Sequence, residues 1–204
     1  RYRQLLQRKI MNKLLTIILS IFTIISFGQV EQAIFDSLKT ISTDNYELKV
    51  PYQWREVPTG EYGPEKFFEA SGLALPYSLN GSPVKVTIFF GKQQGKNLDD
   101  CKDKCLDGYK ENTDREFPKD FIDGKEKIKL PDGQEAYFLN TRFHRKSNGL
   151  NQSRFDLIVY SNNEKTGYIY TVSIQYADDS YKFEIDNNLA DFAKKLFSYL
   201  TIIN

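Results

Sequence analysis

Between Phe121 and Tyr176 apolar and polar residues alternate in four runs, Phe121–Leu130, Gln134–Lys146, Arg154–Tyr160 and Tyr168–Tyr176. Alternation with a period of two puts successive side chains on opposite faces of a sheet, so these runs predict strands with two distinct faces. The first two flank Pro131-Asp132-Gly133, whose Asp-Gly pair is a hairpin signal, and the last two are joined by the polar stretch SNNEKTG. Upstream, Val84, Val86, Ile88 and Phe90 alternate with Lys85, Thr87 and Phe89, while Tyr46–Val50 and Lys66–Ala70 read as shorter strands. Pro51 closes the first of these because it has no N–H for a ladder. Leu73–Pro83, with two prolines, a glycine and an asparagine, reads as a loop.

Three segments follow the helical period instead. Val30, Ala33, Ile34, Leu38 and Ile41 place a short helix over 29–41, broken by Ser42–Asn45. Leu189, Phe192, Ala193, Leu196, Phe197 and Leu200 form the apolar stripe of a closing helix that Asp186 or Asn187 can cap. The third helix follows Gly91–Lys96 and carries CKDKC, the stretch with both cysteines of the chain. Six or seven hairpin-linked strands, with helices after the third and at the end, predict the α+β class: an antiparallel sheet covered by helices, not a parallel doubly wound fold.

On a helical wheel Leu98, Cys101, Cys105, Leu106 and Tyr109 share one side, and Asp99, Asp103, Asp107 and Lys110 the other. Lys102 falls inside the apolar arc, where its stem must run along the sheet edge toward water. Small buried core residues are the main reading of the two cysteines. A disulfide within or between chains, and metal or redox chemistry, stand beside it, although residues four apart on a helix hold their Cβ atoms poorly for a bridge. Two thiols and His144, the single histidine, fall short of a four-ligand metal set.

Compartment follows from residues 11–28. Lys13 precedes an apolar run, Leu14–Phe27, too short for an ordinary bilayer span, and Ser26-Phe27-Gly28 supplies small residues at the positions a signal peptidase reads. The expectation is a signal peptide at 11–28, cut near Gly28/Gln29, with delivery to the periplasm or the exterior; the alternative is a membrane anchor formed by 14–27. Residues 1–10 precede Met11, the sole methionine, and are expected to lie upstream of the true start. Residues 1–28 hold five basic residues and no acid, so the mature chain has 23 bases against 27 acids, a net charge of −4. That balance leaves no electrostatic footprint for nucleic acid.

The sequence YELKVPYQWREV resembles the opening of PsbP-like domains, where a strand runs into a Pro-x-x-Trp turn, here Pro51 and Trp54. The later order is also similar: VKVTIFF, the helix NLDDCKDKCLDGYK, a meander of hairpins, and LADFAKKLFSYLTI at the end. The resemblance runs from Tyr46 to Ile202. It implies an α-β-α sandwich over 46–204, preceded by a helix and linker at 29–45, of the kind shared by the photosystem subunit PsbP and the Ran-binding Mog proteins. It also implies partner binding in place of catalysis, and brings no active-site motif to carry onto these residues.

Nothing in the residues themselves completes a catalytic or cofactor site. Gly91–Asn97, GKQQGKN, lacks one residue of a phosphate loop and has Asn97 where Ser or Thr should follow Lys96. Alternation puts Arg142, His144 and Lys146 on one strand face, which reads as solvated or as a patch for an anionic partner. Tyr168, Tyr170, Tyr176 and Phe155 read as sheet packing. The expected function is an exported, non-catalytic envelope module without cofactor. It binds a protein or glycan through a surface that includes Trp54, Arg142, His144 and Lys146, and membrane contact would come only through an uncleaved leader. The competing expectation is a small secreted hydrolase whose carboxylate pair the fold assembles.

Overall fold

A computed structural model of the chain describes residues 35–61, 63–71, 85–117, 122–176 and 183–203. The leader, the proposed loop Leu73–Pro83 and residues 29–34 lie outside them. Eleven strands and two helices are described: β1 (Leu38–Ser42), β2 (Tyr46–Pro51), β3 (Arg55–Glu56), β4 (Lys66–Ser71), β5 (Lys85–Gln93), α1 (Leu98–Lys110), β6 (Arg115–Glu116), β7 (Ile122–Lys129), β8 (Glu135–Arg145), β9 (Leu150–Ser161), β10 (Thr166–Tyr176), α2 (Phe183–Phe197) and β11 (Leu200–Ile202). The larger sheet has the order β3-β4-β5-β10-β9-β8-β6, with β7 also on β8; the smaller has β1-β2-β11. Every pairing is antiparallel. The α+β class therefore holds, with more strands than the six or seven expected. The extra ones, β1, β3, β6 and β11, have two to five residues each, too short to display a period.

Register turns the alternation into two faces. Phe68, Ile88, Tyr170, Leu157 and Phe138 point to one side, where with Leu48, Val50, Phe192, Leu196 and Phe197 they form the larger core against α2 and the small sheet. Phe90 stacks on Tyr168 at 5.4 Å, and Tyr170 meets Phe197 edge-on at 5.0 Å. Leu139, Ile158 and Ile169 point to the other side and pack on Cys101, Cys105, Leu106 and Tyr109 of α1. Each such burial removes a whole apolar side chain from water, about 1.5–3 kcal/mol apiece.

Two boundaries depart from the sequence reading. Of the expected helix over 29–41, Phe35 and Asp36 are helical among the described residues, but from Leu38 onward it gives way to β1: Leu38–Ser42 pairs with Glu47–Pro51. The turn is closed by Thr43, whose hydroxyl accepts from the N–H groups of Asn45 and Tyr46. Leu38 and Ile41 fit a helical spacing, but hairpin pairing decides a segment this short. The closing helix begins at Phe183, so Asp186 and Asn187 lie inside it and do not cap it. Leu200 has left the helix and pairs with Leu48 in β11, yet it is buried in the same core, so helical spacing included it.

The cysteine helix is as its pattern predicts. Asn97 is the N-cap, its side chain accepting from the Asp100 N–H at 2.8 Å, while the Asp100 carboxylate accepts from the Lys96 N–H. GKQQGKN is thus the end of β5 and a cap. Cys101 and Cys105 are buried free thiols, which settles the disulfide reading within this chain. Burial pushes the Cys105 thiol up to about 12, so it is a protonated packing group. Lys102 lies over the Tyr137 ring and reaches Asp103 at 3.0 Å.

Gly95 and Gly167 explain why small thiols sit here. A Cβ on Gly167 would stand 2.5 Å from the Cys101 sulfur and 2.7 Å from the Gln93 carbonyl oxygen; one on Gly95 would stand 2.3 Å from that sulfur. Gly167→Ala should therefore destabilise the fold by about 1–3 kcal/mol through overpacking. The check is a lower urea midpoint at unchanged slope; an unchanged midpoint would mean that α1 stands further from the sheet.

Candidate functional site

The sheet face that carries α1 changes character along its length. Past Leu139 and Ile158 the same face presents Thr87, Thr141, Gln152, Arg154, Asp156, Thr171 and Ser173, because these share the parity of their strands. Asp156 is completely buried and Arg154 nearly so, at 0% and 11% side-chain exposure. The Asp156 carboxylate accepts from Arg154 Nε at 2.9 Å and from the hydroxyls of Tyr109 and Thr171. Arg154 also donates to the Thr171 hydroxyl at 3.2 Å. Burial opposes the Arg154 charge, but Asp156 beside it holds the guanidinium firmly protonated. Burial, with Asp156 adding to it, pushes the Tyr109 phenol up, so it stays a neutral donor.

Arg154 is flanked by two rings, Tyr109 at 4.6 Å and Phe89 at 4.7 Å. Phe89 leads to a cleft of about 580 Å³ whose walls include Pro64, Phe67, Phe89, Gly91, Ile169 and Lys92. Gly91 adds no side chain to its lining; a Cβ there would come within 3.4 Å of Pro64 and 3.6 Å of Glu65, ordinary van der Waals contact. Arg115 also lies near Tyr109, brought from β6 to the end of β8 by its pairing with Arg145. Its guanidinium lies 4.6 Å from the Phe143 ring and 5.3 Å from the Tyr109 ring. Burial and then the Arg154 charge lower its pKa.

The residues singled out from sequence sit elsewhere. Trp54 is 1% exposed, inside the larger core with Phe192 at 6.4 Å, and so offers no surface to a partner. Arg142 and His144 are half-buried on the α2 side of β8, opposite to Arg115, Arg145 and Arg154. His144 Nδ1 meets the Asn151 side-chain oxygen at 3.1 Å. Lys146 lies just past the strand and is exposed, 3.8 Å from Glu116. Tyr168, Tyr170 and Phe155 are fully buried, as packing requires. Sequence reasoning missed Arg115, Arg154 and Asp156. The signal for the last two was present, charges set within the apolar strand RFDLIV; Arg115 had none.

No family model and no curated protein matches the chain. Solved structures with a similar course of chain include the Ran-binding protein Mog1p of Saccharomyces cerevisiae, at 8% identity and a TM-score of 0.48 over 82% of this chain and 96% of that one. LpqN, involved in cell envelope biogenesis of Mycobacterium tuberculosis, has 16% identity and a TM-score of 0.46 over 83% and 94%. Protein PA94 of Pseudomonas aeruginosa, of unknown function, has 11% and 0.43 over 81% and 96%. At these values the likeness concerns the path of the backbone and says nothing of chemistry.

Proposed function

We propose that this chain is an exported, non-catalytic accessory module of the cell envelope that binds a protein partner on the α1 side of its larger sheet. The observation that carries the reading is the cleft beside α1, floored by Phe67 and Phe89, which are half-buried, with Gly91 adding no side chain to its lining. Its mostly apolar walls, with Glu65 and Lys92 among them, suit an apolar side chain offered by another protein. Export rests on the leader pattern at 11–28.

The hydrolase alternative needs two carboxylates, one of them with a raised pKa to act as acid. The described carboxylates that shift move the other way. Lys85 lowers Glu69 most, the Tyr137 hydroxyl Asp99, the Lys96 N–H Asp100 and the Ser147 hydroxyl Asp114. The buried carboxylate, Asp156, is engaged by an arginine and two hydroxyls.

The test is capture from envelope extracts with the tagged full chain, beside Gly91→Val, whose methyl groups enter the cleft while keeping a strand-compatible residue. One reproducible protein partner, lost with Gly91→Val at unchanged folding, is expected. Substrate turnover without any partner, or capture indifferent to the substitution, would overturn the reading. An amino terminus at Gln29 in the secreted fraction is the matching result for export.

A further inference from the structure

We infer that Arg115, held between Tyr109 and Phe143, is the binding residue of a carboxylate site on the α1 side of the sheet. This goes beyond the partner-binding reading and does not depend on it. Lying over these two rings engages none of the five N–H donors of its guanidinium. Among the described residues Arg115 has no hydrogen-bonded or ion-paired acceptor, although neighbouring acids are close at hand.

Each of those acids is already engaged. Asp156 is taken by Arg154, Tyr109 and Thr171. Asp114 accepts from Arg145 Nε at 3.1 Å and from the N–H and hydroxyl of Ser147. Glu116 faces Lys146. Among the described residues the cluster of Arg154, Asp156 and Arg115 therefore keeps one positive charge in excess, half-buried on Arg115 and repelled by the Arg154 guanidinium. A half-buried cation without a partner is costly, and an incoming monoanion relieves that cost.

The chemistry of the ligand follows from charge and shape. A carboxylate neutralises the excess charge and matches the planar fork with two parallel N–H···O bonds. A phosphate dianion would leave the cluster negative. The Phe143 ring, buried and packed on Phe117, serves only to steady the guanidinium. The acid is either a free organic acid or an acidic side chain of a protein, and the two share this contact.

The experiment titrates the full chain at low ionic strength with propionate, with a blocked glutamyl peptide and with inorganic phosphate, following amide shifts around Tyr109 and Phe143. Saturable binding of the two carboxylates is expected, the tighter of them naming the source. Arg115→Gln should weaken it on the order of 10-fold or more, as loss of a charge-assisted bidentate pair does. Lys127→Gln, which removes an exposed cation on β7 paired with Glu135, should leave it within about twofold, as exposed pairs are worth little. Should Arg115→Gln fail to fold, Arg115→Lys keeps the charge and loses the fork, and is read in the same way. Carboxylate binding unchanged in the Arg115 variant, no saturable binding, or phosphate bound more tightly than either carboxylate would overturn the site.

Discussion

Replacing Asp156 by alanine should destabilise the folded chain by about 3–5 kcal/mol, because it strands the buried guanidinium of Arg154 without its counter-charge. The loss also frees the hydroxyls of Tyr109 and Thr171, both of which donate to that carboxylate. Urea unfolding measures it directly. Exchanging both partners for apolar residues, Arg154→Met with Asp156→Leu, should recover most of the stability, since the charge and its compensation leave together. A single Asp156→Ala variant as stable as the parent would mean that water reaches this part of the sheet.

Trp54→Ala should have an effect of similar size, about 3–5 kcal/mol, from lost transfer energy and the cavity left beside Phe192 in the larger core. The informative comparison is with partner capture. A tryptophan on a recognition surface would change binding and leave stability nearly untouched. Trp54, at 1% exposure, should do the reverse: the variant loses melting temperature and, held well below its melting point, captures the partner as the parent does. Normal stability with lost capture would restore Trp54 to the recognition surface.

Much of this fold is legible because burial writes a period into sequence. Val86, Ile88 and Phe90 alternate because every second residue of β5 enters the larger core, and Cys101, Cys105 and Tyr109 recur at helical spacing because α1 lies flat on the sheet. Elements without a period were not legible. Arg115–Glu116 is two residues long and becomes strand only because the end of β8 is there to pair with it. Leu38–Ser42 carries a spacing that both helix and strand satisfy, and the hairpin to β2 decides between them.

The functional face was hidden for a related reason. Arg142 and His144 form a basic run on one side of β8, whereas Arg115, which has no acidic partner among the described residues, reaches the opposite side from a segment distant in sequence. Asp156 looked like one polar residue among many along a strand. Only register shows it beside Thr171 and in reach of Tyr109 from the helix above. Composition cannot reveal such a meeting, since its members come from α1, β9 and β10.

Site-directed photo-cross-linking in the producing cell tests the central claim most directly, with the cross-linking residue placed in turn at Phe67 on the α1 side and at His144 on the α2 side. The account predicts a partner adduct from the first position and none from the second. An adduct from His144 with none from Phe67 would contradict it.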